Sequence, residues 1–232
     1  MLKAKNFFWI LFWLNSIVHL WATFTENQQF IQITKPLLMP LLAISLFVDS
    51  GFQFLRSRNL VLLGLLFSCV GDVLLMLNNA QNNFFVFGLI SFLLAHIAYI
   101  AAFWSITSLR KGHIAQQRWL VLIFLLYLLC FNFYLYKGVP ADLKAPVIIY
   151  SLVIMTMAIS ALNLNKNIIN QAFYWIFLGA LFFLVSDSVL AAEKFRKLAS
   201  SQGFNASVII MLTYILGQFG IAKGVSIATK SD

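Results

Sequence analysis

The chain has 232 residues, of which 62% are hydrophobic and 10% charged, with a formal net charge of +9. A soluble core built from a chain of this size does not hide so much apolar surface, whereas lipid tails solvate the outside of a helical bundle. The basic residues stand at the ends of apolar runs without forming a basic face, so they argue against a nucleic-acid partner and act as topology signals.

The apolar runs are continuous and about as long as the ~20 residues a spanning helix needs, unlike the alternating segments of ~10 found in a barrel. The chain therefore reads as an all-α integral membrane protein with one multi-pass domain. Eight spans are predicted, over residues 6–24, 34–50, 59–78, 84–106, 118–136, 143–162, 171–192 and 205–226. The first follows Lys3 and Lys5 and looks like a signal peptide. Asn15 and His19, and the lack of a small-x-small cleavage site, make it a retained helix instead. The second holds Pro36, expected in its first turn, and Pro40, expected to kink it or free a carbonyl for a site. Asp49, beside Ser50, Gly51 and Arg56, reads as interfacial at its far end. Cys69 and Cys130 sit inside apolar runs and read as small buried residues, with neither a disulfide framework nor a metal-type spacing.

Loop charge sets the expected orientation. Alternate loops carry Lys3 and Lys5; Arg56 and Arg58; Arg110, Lys111 and Arg118; Lys166; and Lys230. The opposite set carries Lys137 and Lys144, then Lys194, Arg196 and Lys197, partly offset by Asp142 and Glu193. The richer set places both termini in the cytoplasm, although the cluster at 194–197 works against that bias.

The third and seventh spans share a pattern. Gly64, Leu66, Phe67, Val70, Asp72 and Leu75 recur 115 positions later as Gly179, Leu181, Phe182, Val185, Asp187 and Leu190. Tyr99 falls on Tyr214, and Gly88 on Gly203, at the same offset of 115. An offset covering four helices implies a parallel 4+4 duplication, with halves of roughly 1–113 and 114–232, and such pseudo-symmetry commonly puts the site between the halves.

Of the seven acidic residues, Asp72 and Asp187 lie well inside spans. An ionisable residue at the bilayer centre costs ~2.5–3.5 kcal/mol on insertion scales, so it is read as functional by default. At matched depth on repeat-related helices the two carboxyls would meet across the pseudo-axis. One would stay protonated as a general acid, and the other would remain an anion that orients water or stabilises a cationic transition state, as the two carboxyls of glycosidases do. Lys35, at the start of the second span, reads as a phosphate anchor, with a snorkelling interfacial lysine as the competing reading. His96 and Tyr99 share one helix face, as do Tyr214 and Gln218, and Asn15 and His19; Tyr150 lies in the outer half of the sixth span. Packing between helices competes with a binding role for each of these. No HExxH, GxSxG or P-loop occurs, and the histidine spacing gives no signal for zinc; no cofactor is expected.

Taken together, Thr34-Lys35-Pro36-Leu37, Gly71-Asp72-Val73-Leu74-Leu75, Ala95-His96 with Tyr99, Ser186-Asp187-Ser188-Val189-Leu190-Ala191 and Tyr214 with Gln218 resemble the YhhN-like membrane family of lysoplasmalogenases. The resemblance runs through spans two to eight. It implies an eight-helix enzyme that cleaves the vinyl ether bond of a lyso-ether phospholipid to a fatty aldehyde and glycerophospho-ethanolamine or -choline. The family's two motif aspartates map to Asp72 and Asp187. A proton-coupled transporter of small solutes or lipids, or a lipid-binding scaffold, are the readings from other classes. Short loops suggest a bacterial inner-membrane protein.

Overall fold

A computed structural model describes residues 2–50, 56–78, 84–107, 112–197 and 205–229, with backbone alone for 2–5. Gly51, Arg110, Lys111, Gly203 and Lys230, named above, lie outside the described residues. All regular structure among the described residues is helical: α1 (Leu2–Phe24), α2 (Gln28–Ser50), α3 (Arg56–Leu77), α4 (Phe84–Ile106), the one-turn α5 (His113–Gln116), α6 (Leu120–Tyr136), a 3-10 turn (Ala141–Leu143), α7 (Lys144–Leu162), α8 (Asn170–Arg196) and α9 (Ala206–Ala228). Seven of these helices are long and apolar enough to cross a membrane. The predicted fifth span, α6, has 17 residues, about 25 Å of helix and the lower end of the spanning range. The protein is an integral multi-pass membrane protein.

Three elements differ from expectation. Helix α2 begins at Gln28 rather than Thr34, because Asn27 accepts from the Phe30 N–H at 3.3 Å and starts the helix a turn and a half early. Pro36 is therefore interior, not in the first turn. Pro40 removes the N–H that would bond the Pro36 carbonyl, and that carbonyl accepts from the Cys69 thiol at 3.6 Å, joining α2 to α3. Asp49 is not interfacial but buried, accepting from Ser226 at 2.7 Å and pairing with Lys223 at 3.6 Å, so that it ties α2 to α9. Cys130, expected to be buried, is exposed on the outside of α6.

Glycine sets the closest helix pair. A Cβ on Gly179 would lie 2.7 Å from the Ile221 nitrogen and 2.8 Å from the Gly217 carbonyl oxygen, so α8 and α9 meet backbone to backbone. Lipid offers no hydrophobic drive between helices, and close contact between small residues supplies the attraction instead. Gly179→Leu should force the pair apart and lower stability by about 1–3 kcal/mol, read as a lower Tm of the purified protein; an unchanged Tm would refute this packing. Gly64 on α3 leaves room for the Tyr99 ring of α4. Helix α3 packs on α4 and α8 on α9, while α4 also rests on α7 and α9 on α2. These crossings set α9 against the α3 face that bears Asp72, and α7 against the α8 face that bears Asp187.

Candidate active site

Asp72, late in α3, meets helices α2 and α9. The Tyr214 hydroxyl donates to its Oδ2 at 2.7 Å, and the Lys35 ammonium stands 3.8 Å from its Oδ1. The aspartate side chain is 4% exposed and the lysine 16%. A buried carboxylate without a partner is costly, so the lysine and tyrosine are what allow a charge here. One turn further along, the Tyr99 hydroxyl donates to Gln218 Oε1 at 2.6 Å, and Gln218 Nε2 donates to Ser68 at 2.9 Å. This fully buried chain fixes α3, α4 and α9 around Asp72.

Asp187, on α8, has a different pair of partners. The Tyr150 hydroxyl of α7 donates to its Oδ2. The His96 Nε2 of α4 lies 3.1 Å from the same oxygen and 3.0 Å from the Tyr150 hydroxyl. Because Tyr150 gives its proton to the aspartate, His96 Nε2 must be the protonated nitrogen, shared between Tyr150 and Asp187. His96 is completely buried, and its Nδ1 has no hydrogen bond among the described residues. One aspartate is thus held by an ammonium and a phenol, the other by an imidazole and a phenol.

Aromatic rings stand between the two. Phe183 lies edge-on to His96 at 4.7 Å, to Tyr214 at 5.5 Å and to Tyr99 at 6.3 Å, and Phe92 meets both Phe183 and Tyr214. Each aspartate takes its hydrogen bonds on its own side of this wall.

An apolar groove of about 730 Å³ opens between α3, α4, α6, α7 and α8, lined by residues such as Leu75, Phe92, Leu128 and Phe131. Asp187, Tyr150 and Ser188 are among its few polar lining residues, whereas Asp72 is not on its wall. Ser188 is held by the Tyr127 hydroxyl at 2.7 Å, which ties α6 to α8. The arrangement offers a lipid chain an apolar groove with one carboxyl in its wall, and a second carboxyl behind an aromatic wall.

The model of the YhhN family matches residues 30–225. The chain belongs to the YhhN family. It is 27% identical over 195 residues to a "Lysoplasmalogenase homolog" of Dictyostelium discoideum, covering 70% of this chain and 61% of that protein. It is 29% identical over 193 residues to the Bos taurus "Lysoplasmalogenase TMEM86A", covering 76% of this chain and 75% of that one. The chain thus spans less than two thirds of the Dictyostelium relative. No solved structure matches it.

Within this YhhN protein the predicted site residues divide into three groups. His96 and Tyr150 surround Asp187; Lys35 and Tyr214 surround Asp72, with Tyr99 and Gln218 one layer behind. Asn15 and His19 bond to Thr34 and not to either aspartate. Asn15 donates to the Thr34 carbonyl at 3.0 Å, and His19 Nδ1 lies 2.8 Å from the Thr34 hydroxyl. Thr34 spends its one proton on the Phe30 carbonyl at 2.6 Å, so His19 must donate. The pair fastens α1 to α2 one residue from Lys35. Among the described residues no three His, Cys, Asp or Glu side chains converge as a metal centre would require. Sequence reasoning missed Ser68, Phe92 and Phe183. Ser68 had a signal, its place one turn before Asp72; the two phenylalanines, among 24 in the chain, had none.

Proposed function

We propose that this protein hydrolyses the vinyl ether bond of lysoplasmalogens, releasing a fatty aldehyde and glycerophospho-ethanolamine or -choline. The observation that carries the reading is a carboxyl, Asp187, in the wall of an apolar groove in a YhhN-family chain. Both relatives named above are called lysoplasmalogenases or their homologue, and neither is named as a transporter.

The chemistry needs a proton and a negative charge. Asp187 gives a proton to the β-carbon of the double bond, and an oxocarbenium ion forms at the carbon attached to oxygen. Asp72, charge-paired with Lys35, supplies negative potential behind the aromatic wall. Water adds to the cation and returns a proton to Asp187, and the hemiacetal collapses to aldehyde and alcohol. Tyr150 and His96 hold the Asp187 carboxyl in place by binding one of its oxygens, which leaves Oδ1 for the substrate.

The 4+4 duplication belongs to the same proposal, with both termini cytoplasmic in a bacterial inner membrane. Lys35 and Tyr150 stand 115 positions apart, as do Asp72 and Asp187, so each aspartate is met from a repeat-equivalent position. The crossing of α4 on α7 answers that of α9 on α2. The test is purified protein with lysoplasmenyl-ethanolamine: fatty aldehyde should accumulate, and well-folded protein that releases none would overturn the reading.

A further inference from the structure

Sequence alone gave the lipid phosphate to Lys35, but Lys35 is committed to Asp72 and is not on the groove wall. The groove has its cations elsewhere. Along α8, Asp187, Ala191, Lys194 and Phe195 follow the spacing of a single helix face. Asp187, Ala191 and Phe195 line the groove. The Lys194 ammonium lies 4.6 Å from the centre of the Phe85 ring, and Phe85 lines the groove beside Phe195, its edge-on neighbour at 6.1 Å. Lys194 therefore stands at the groove's edge, two helical turns from the carboxyl.

Two more cations gather at this end. The Arg196 guanidinium lies 5.1 Å over the Tyr134 ring, and the Lys144 ammonium 3.9 Å over Tyr136. Lys144 and Tyr136 line a smaller hollow of about 270 Å³ that shares Leu135 and Val147 with the groove. Close packing joins the two sides: a Cβ on Gly138 would meet the Phe195 carbonyl oxygen. Asp142 and Glu193 are the acids of this end, so the balance with Lys137, Lys144, Lys194, Arg196 and Lys197 stays basic. This is also the cluster that runs against the loop-charge bias. A ligand-binding role accounts for basic residues where topology does not call for them.

We infer that Lys194, with Arg196 and Lys144, binds the phosphate of a single-chain phospholipid whose tail lies in the groove. The inference rests on the proposed hydrolase reading for where the ether bond sits. The seven-residue step from Asp187 to Lys194 is about 10 Å of helix. The stretch from ether carbon to phosphorus in a glycerophospholipid is roughly 7 Å extended, and a lysine arm that lies along apolar surface covers the remainder. Cations stacked on rings keep their N–H groups free to meet an anion, and arginine adds a planar fork suited to phosphate.

The test compares cleavage of an alkenyl glycerophosphoethanolamine with that of the same alkenyl glycerol lacking phosphate. Wild-type protein should prefer the phosphorylated substrate, and the exposed double change Lys194→Gln and Arg196→Gln should cut that kcat/KM preference by about tenfold or more, through KM. Lys194→Arg should keep the preference, and Lys166→Gln, at a loop remote from the groove, should leave it alone. A preference unchanged in the double variant, or lowered equally by Lys166→Gln, would overturn the inference. If wild-type protein cleaves neither substrate, the hydrolase reading fails separately. The phosphate site is then read by binding of a non-cleavable saturated-ether lysophosphoethanolamine to protein in nanodiscs. About tenfold weaker binding in the double variant supports the site, and equal binding refutes it.

Discussion

Asp187→Asn should release aldehyde from lysoplasmenyl-ethanolamine about a thousandfold more slowly than wild-type protein, within the range a positioned general acid contributes. The amide has the shape of the acid, and its carbonyl oxygen still accepts from Tyr150 and His96, so the helix contacts of α4, α7 and α8 persist. What it loses is the proton. The Tm should stay close to wild type, and a lyso-lipid should still enter the apolar groove. Removing a holder instead of the acid should do less: Tyr150→Phe leaves the carboxyl in place and deletes one hydrogen bond, for a loss of about tenfold. A rate for Asp187→Asn within a few-fold of wild type would remove Asp187 from the chemistry.

The second large effect is on stability and is asymmetric. Lys35→Met leaves Asp72 buried without its ammonium, and breaking a buried pair in this way costs about 3–5 kcal/mol. Asp72→Asn should cost less, because Lys35 is 16% exposed and its long stem lets the ammonium move toward solvent, while Asp72 is 4% exposed and enclosed by Tyr214. The double variant, with both charges gone, should recover most of the loss from Lys35→Met. Thermal unfolding of the four proteins measures the cycle. If Lys35 served only as a head-group anchor, Lys35→Met would raise KM and leave Tm unchanged, and the two single effects would simply add.

That cycle also marks the boundary of what the sequence discloses. The spans were legible because lipid demands continuous apolar runs with polar ends, and the two aspartates stood out because charges inside such runs are costly. Partnership was not legible. Lys35 and Asp72 are on different helices, and nothing near either residue announces the other; a lysine at the start of an apolar run looks like a surface anchor until the helices are packed. Asp49 looks interfacial in the sequence for the same reason. Ser50, Gly51 and Arg56 nearby suggested an interface, while its partners Ser226 and Lys223 are on the last helix. Lys223 itself, a cation within the final predicted span, is the one sequence signal that an acid on another helix needs a partner there. The early start of α2 was hidden because Gln28 and Gln29 lower the local hydropathy, although Asn27 is a good N-cap residue. Asn15 and His19 are spaced to share a helix face, but that spacing does not say whether the face meets a ligand or another helix. Phe92 and Phe183, which separate the two aspartates, look like every other phenylalanine in the chain.

The most direct test of the central claim is the isotopic fate of the aldehyde. Protein in heavy water is given lysoplasmenyl-ethanolamine, and the aldehyde is trapped at once as a hydrazone for mass spectrometry. Protonation of the vinyl ether places a single deuterium on the carbon next to the carbonyl. Trapped aldehyde bearing that deuterium, formed by wild-type protein and lost in Asp187→Asn, is the predicted result; aldehyde free of deuterium, or formed equally well by the variant, would contradict the mechanism.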